Sequence, residues 1–307
     1  MTDELRRRLA EKLRGSLTED EPMARHTSLR VGGPADLFAV PADLEDLVGL
    51  AAILKEAGEP FQVIGGGYNL LIRDGGIRGV VISLERLNAL EQTAPERIRA
   101  AAGVRNHELV RFAEGMGLAG LEFLCGIPGT VGGALAMNAG AHGGEILPRV
   151  ESLTTLRNGR VCRRNQAQLD YGYRTLKIEA GEIIVEAEFA LKSDDPAAIC
   201  ERVRGLLMQR GGSQKVGLPN AGSFFKNPTG NQAWRLIDDA GLRGSRVGAA
   251  QVSEVHTNFL VNAGGATARD FEELAGRIKA AVLEKSGIVL EEEVRIIGEA
   301  RGRDHED

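Results

Sequence analysis

The chain has 307 residues, enough for two or three domains, each with its own core. Its hydrophobic fraction is 43 %, with no apolar run long enough to span a bilayer. A formal net charge of −5 argues against a general nucleic-acid binder, and the widely spaced Cys125, Cys162 and Cys200 form no Cys-x-x-Cys pair, which argues against a zinc site or a disulfide framework.

Residues 1–21 are densely charged and lack an apolar h-region, so the expectation is a cytoplasmic chain, in keeping with the odd cysteine count. Leu5, Leu9 and Leu13 recur every four residues and predict a short amphipathic helix, with Arg6, Arg7 and Arg8 on its solvated face. Leu44, Leu47, Val48, Ala51 and Leu54 make the apolar face of a helix started near Asp43 and stopped by Gly58. Residues 61–64 read as a strand running into Gly65, Gly66 and Gly67, and residues 79–84 as a second buried strand. A strand at 98–101 precedes a helix at 106–116. Strands follow at 150–156, 159–163 and 182–191, with Asn158-Gly159 as a hairpin turn. A helix over 196–210 leads to residues 211–215, which read as a linker and a domain boundary. The last third predicts a helix over 232–240 ended by Gly241 and a strand over 258–262. Thr267 and Asp270 make a capping box for a helix that Gly287 ends, and a final strand over 288–297 contains Glu291, Glu292 and Glu293. Three successive carboxylates in an apolar strand need a reason.

A Gly-x-Gly-x-x-Gly match at Gly115, Gly117 and Gly120 follows a helix rather than a strand, so it reads as a helix end and turn. No P-loop and no metal-ligand spacing is present, and no metal is expected. Gly65, Gly66 and Gly67 exceed what a tight turn needs, which favours main-chain contact with a phosphate. Residues 126–133 lead into a run of small residues at 134–140. Either a bulky flat ligand packs on that backbone or helices pack closely there. Cys125 beside this loop is either a reactive thiol or a small buried side chain. Residues 221–228 read Ala-Gly-Ser-Phe-Phe-Lys-Asn-Pro. A Ser hydroxyl can hand over a proton, and Lys and Asn can hold an anion or an amide.

These segments, taken in order, resemble the UDP-N-acetylenolpyruvoylglucosamine reductase family, flavoenzymes of peptidoglycan synthesis. The resemblance is carried by residues 30–36, 65–71, 120–123, 127–133, 137–141, 173–174, 221–228, 240–242, 251–253 and 293–295, and it covers roughly residues 27–298. It implies an α+β fold: a two-lobed FAD-binding domain of the PCMH or vanillyl-alcohol-oxidase type and a C-terminal α+β substrate-binding domain. The implied division is 1–85 and 86–210 for the FAD lobes and 211–307 for substrate, with residues 288–298 returning to the flavin. The compact stretch at 171–174 is similar to the type II subgroup.

The cofactors implied are FAD and NADPH. The implied cofactor contacts are Gly65, Gly66, Gly67, Tyr68, Asn69, Leu70, Ile127, Pro128, Gly129, Thr130, Gly132, Gly133 and Asn138. The implied catalytic residues are Arg174, Ser223 and Glu293, and the implied substrate contacts are Lys226, Asn227, Arg210, His256 and Asn258. The implied partners are the small-molecule UDP-sugar and NADPH, with no nucleic acid, membrane or obligate protein partner. Tyr68 and Cys125 stand where the family commonly has Ser, His142 where Tyr is common, and Val255 where Lys is usual. Two other functions fit the residues less fully: a sugar or hydroxy-acid oxidase of the same flavin fold, and a non-catalytic UDP-sugar sensor.

Overall fold

Asp43 and Gly58 bound the helix Leu44–Ala57 as their chemistry requires. The Asp43 carboxylate accepts the Asp46 N–H, and Gly58 closes the far end at φ +65°, a conformation that strains a residue with a side chain. One turn in, the buried Asp46 carboxylate accepts main-chain N–H groups of Arg14, Gly15 and Ala42 at 2.9, 2.9 and 2.8 Å. Burial raises the pKa of this carboxyl, but the three donors and the nearby Arg14 charge outweigh it and hold the group below its ordinary value. A depressed folded pKa stabilises above the unfolded value and loses its effect as pH falls through the folded one. Asp46→Asn therefore costs about 1–3 kcal/mol at neutral pH, since its amide nitrogen would face at least one N–H donor. The gap to the parent narrows below about pH 4. Urea unfolding at about pH 7 and about pH 3 checks both halves of this expectation.

The computed structural model describes residues 1–213 and 216–301, without the side chains of 210–213. The chain divides into two compact units. The first comprises Met1–Glu19, Leu37–Gly66 and Gly79–Arg210. The second comprises Asp20–Asp36, Gly67–Arg78 and the chain from Gly211 onward.

In the first unit the helix Asp3–Lys12 buries Leu5 and Leu9, and Arg6, Arg7 and Arg8 form surface ion pairs with Glu19, Glu4 and Glu56. The strand Phe61–Ile64 lies at the edge of a four-stranded sheet ordered Ser16–Pro22, Pro34–Val40, Ile77–Ser83, Phe61–Ile64, of which residues 16–19, 37–40, 79–83 and 61–64 belong to this unit. It pairs in parallel with its neighbour, Phe61 facing Val80 and Ile64 facing Ser83. An antiparallel five-stranded sheet follows in the order Arg160–Asn165, Val150–Arg157, Ile183–Ala190, Arg97–Ala101, Leu90–Ala94. Its first hairpin turns at Asn158 and Gly159, both at positive φ. Leu47, Leu54, Val80, Ile82, Ile98, Leu109, Leu135, Leu153 and Phe189 share one continuous core.

In the second unit an antiparallel sheet ordered Asn220–Ser223, Phe259–Asn262, Ala250–Val252, Arg246–Val247 packs with the helix Ala268–Ser286. Thr267 and Asp270 make the expected capping box and Gly287 ends the helix at φ +71°. Leu29, Val31 and Leu71 join Phe224, Phe225, Phe271, Ile278 and Leu290 in this unit's core.

Two expectations change. The helix Pro196–Ser213 runs into the segment read as a linker, the rest of which, Gln214 and Lys215, lies outside the described residues. The final strand is shorter than expected and spans only Arg295–Ile297, in parallel with Leu70–Ile72. Residues 288–294 make no named strand, with only an isolated antiparallel bridge between Glu292 and Phe225. Among the described residues no helix is long and apolar enough to cross a membrane.

Candidate active site

Ser223 closes the strand Asn220–Ser223 opposite Phe259, after a register shift and with Gly222 at φ +73°. Such an irregularity re-aims the side chain that follows it. Phe224 and Phe225, both buried, anchor the next two residues, and Ser223 itself stays half-exposed. The Asn258 side chain grips this segment. Its Nδ2 donates to the Phe225 carbonyl at 2.8 Å, and its Oδ1 accepts the Phe225 N–H at 3.0 Å. The Asn258 carbonyl takes the Phe224 N–H at 2.7 Å.

The C-terminal carboxylates meet the same segment. The Glu293 N–H donates to the Phe224 carbonyl at 2.8 Å, and the Lys226 N–H donates to the Glu291 carbonyl at 2.8 Å. Asn69 Nδ2 in turn donates to the Glu293 carbonyl at 3.0 Å, and the Arg295 N–H donates to the Asn69 carbonyl at 3.0 Å. Ser223, Glu293 and Asn69, far apart in sequence, are thus joined through one hydrogen-bonded backbone network. The three successive carboxylates also separate by task. Glu291 pairs with Lys226 and Glu292 with Lys279, while the main chain of Glu293 links the Ser223 segment to Asn69.

In the first unit the two glycine loops come face to face. A Cβ on Gly65 would lie 2.6 Å from Thr130 Oγ1 and 3.7 Å from the Gly133 backbone. A side chain at 65 would close this spot, and the main chain of Gly65 and Gly66 is exposed beside it. A backbone-walled, hydroxyl-bearing recess suits a phosphate, so the residues fit an FAD diphosphate. Not all the predicted donors are available to it. The Val131 and Gly132 N–H groups donate to the carbonyls of Val104 and Ala102, and the Gly133 N–H faces Thr130 Oγ1 at 3.4 Å. Gly67, in the second unit, is buried at φ +68°, where a Cβ would collide with the His26 carbonyl. The turn at Gly67 therefore requires glycine.

Arg174 adopts φ +57° between the short strands Tyr171–Gly172 and Thr175–Leu176. Its Nη2 donates to the Gly140 carbonyl at 3.1 Å, and its guanidinium lies 5.1 Å from the Tyr173 ring centre.

An FAD-binding domain family matches residues 35–165, and the C-terminal domain of UDP-N-acetylenolpyruvoylglucosamine reductase matches residues 212–297. UDP-N-acetylenolpyruvoylglucosamine reductase of Geobacter metallireducens is 62 % identical over 97 % of this chain and all of that protein. The Geobacter sulfurreducens protein of the same name is 63 % identical, also over 97 % of this chain and all of its own length. The chain belongs to the UDP-N-acetylenolpyruvoylglucosamine reductase family. The crystal structure of the reductase from Thermus caldophilus, 34 % identical, superposes with a TM-score of 0.80 over 93 % of this chain and all of that chain. The α+β fold with an FAD-binding domain and the reductase C-terminal domain follows.

Within that family frame, several expected contacts take other places. Asn138 is fully buried and bonded internally, so its amide is a support and not a cofactor contact. Asn258 is buried too, and its side chain is committed to Phe225 instead of substrate. The Lys226 ammonium is partly neutralised by Glu291. Asn227 is exposed, with its Oδ1 accepting the Ala233 N–H at the start of the helix Ala233–Asp239. The His256 ring packs 4.6 Å from Phe259 and 6.2 Å from Trp234. Burial lowers its pKa against the pull of a main-chain hydrogen bond, so the ring is neutral at about pH 7. Tyr68 and Pro128 are exposed, Leu70, Ile127, Gly129 and Thr130 half-buried. The Arg210 side chain lies outside the described residues.

Arg73 and Asp74 make structural contacts that carry no signal in the sequence. Asp74 accepts the N–H groups of Ala268 and Arg269 at 2.8 and 3.0 Å, and Arg73 grips Glu272 with two nitrogens. They staple the segment after the glycine loop to the helix Ala268–Ser286. Partners so distant along the chain leave no local signal. Asp74→Ala removes two charge-assisted bonds at a helix start and is expected to cost about 1–3 kcal/mol in a thermal unfolding series.

Proposed function

We propose that this chain reduces the enolpyruvyl ether of UDP-N-acetylglucosamine to UDP-N-acetylmuramate, with NADPH as reductant and FAD as bound cofactor. The observation that carries this reading is the network joining the Ser223 segment, Glu293 and Asn69. It links the main chain next to Ser223, the main chain of Glu293 and the tail of the first glycine loop within the second unit, which supports a shared role for these residues.

FAD, when bound and reduced by NADPH, would supply the hydride for the terminal vinyl carbon of the substrate. The main chain of Gly65 and Gly66, with Thr130, would hold its diphosphate. Hydride addition leaves charge on the adjacent carbon, spread into the substrate carboxylate as an enolate. Arg174 binds that carboxylate, because a guanidinium pairs with it in a fork and stays charged. Glu293, carrying a proton, donates a hydrogen bond to the developing enolate; an ionised Glu would repel it. Ser223 gives the proton that completes addition across the double bond. Lys226, Asn227, Arg210 and His256 serve the UDP part of the substrate. Residues 1–85 and 86–210 serve FAD and residues 211–307 serve the sugar nucleotide. The setting is the cytoplasm, and no protein partner is required.

The test is NADPH oxidation by the purified protein with the enolpyruvyl UDP-sugar present and absent, with mass spectrometry of the product. The expected product is heavier than substrate by two hydrogen atoms. FAD that stays on the protein after acid precipitation, with no turnover of this substrate, would favour a covalent-flavin oxidase instead.

A further inference from the structure

Asn138 connects to Arg174 through the main chain around it. Its amide is 0 % exposed. Nδ2 donates to the Gly172 carbonyl at 3.0 Å and to Glu145 Oε2 at 2.8 Å, and Oδ1 accepts the Leu147 N–H at 3.2 Å. One side chain therefore ties the turn that carries Arg174 to residues 140–147. That second segment returns the contact, because the Gly140 carbonyl accepts Arg174 Nη2, and Gly140–Ala141 pairs with Gly144–Glu145. Both residues also sit in the left-handed region, Asn138 at φ +40° and Arg174 at φ +57°. Asn adopts this region readily, whereas Arg does so rarely and is held there by its surroundings.

We propose that Asn138 is a positioning residue for Arg174. Its bond to the Gly172 carbonyl sets the turn, and the turn sets the direction of the guanidinium toward the substrate carboxylate. This rests on the reading that Arg174 binds that carboxylate. A buried amide that only stabilises the fold would affect every property of the protein together. A positioning amide affects the substrate step and spares the step that does not use Arg174.

The discriminating variant is the double substitution Asn138→Asp with Glu145→Gln. The new Gln can donate to the new carboxylate, which still accepts the Leu147 N–H. The Gly172 carbonyl then loses its donor and faces a carboxylate oxygen instead. The expected result has three parts. The double variant binds FAD and is reduced by NADPH at the parent rate. Reoxidation by the enolpyruvyl UDP-sugar falls about 10²-fold, the scale of a small misplacement of a reacting group. The dissociation constant for the UDP-sugar, measured by calorimetry, rises. Glu145→Gln alone keeps the Gly172 bond and is expected to behave as the parent.

Parent-like affinity and reoxidation in the double variant would overturn the proposal, as would an equal defect in Glu145→Gln. Asn138→Ser introduces no buried charge and is the second variant, with the same expected split. Loss of FAD binding in both Asn138 variants would also overturn it, by making the residue a general support of the fold. Arg174→Ala is measured alongside. If it leaves substrate affinity and reoxidation unchanged, the role assigned to Arg174 is wrong, whatever Asn138 does.

Discussion

Ser223→Ala is expected to keep reduction of bound FAD by NADPH at the parent rate and to lose reoxidation by the enolpyruvyl UDP-sugar by roughly 10²–10⁴-fold, the span of a general acid. The two half-reactions separate because only the second consumes a proton at carbon. The fold should survive the change. Ser223 is half-exposed, its neighbours Phe224 and Phe225 are buried, and the Asn258 amide holds both the N–H and the carbonyl of Phe225. None of those contacts uses the Ser223 hydroxyl. Equal loss in both half-reactions would assign Ser223 to structure rather than proton transfer.

Glu293 is expected to separate two substitutions that a structural role would treat alike. Glu293→Ala should slow reoxidation about 10²–10³-fold, the scale for removing one donor aimed at a developing oxyanion. Glu293→Gln should keep most of the parent rate, since an amide N–H of the same reach stays neutral and still donates. The main-chain bonds to the Phe224 carbonyl and from Asn69 belong to the backbone of residue 293 and persist in both variants. Rapid-mixing absorbance of the flavin reads both. A Gln variant as slow as the Ala variant would mean that the carboxyl acts by its acidity or charge, not as a neutral hydrogen-bond donor.

The elements with local chemistry are legible in the sequence. Asp43 with Gly58, Asn158 with Gly159 and Thr267 with Asp270 each declare a cap or a turn within a few residues, and each is found in place. The glycine loops are legible as a backbone recess, but the use of each glycine is not. Gly65 leaves room for Thr130 and Gly67 turns the chain, and both depend on residues distant in sequence. The same distance hides the work of the amides. Asn138 and Asn258 read as polar groups beside ligand loops, yet burial commits both to main-chain partners. An amide pairs with a carbonyl 33 residues away as readily as with a ligand, as Asn258 does with Phe225, and sequence alone does not tell the two apart. The run Glu291, Glu292 and Glu293 poses a question that only Lys226, Lys279 and the Phe224 carbonyl answer.

The most direct test is anaerobic stopped-flow absorbance of the purified holoenzyme. NADPH should bleach the bound FAD, and the enolpyruvyl UDP-sugar should then restore its colour far faster than buffer does. Bleaching followed by no substrate-driven recovery would contradict the assigned reaction.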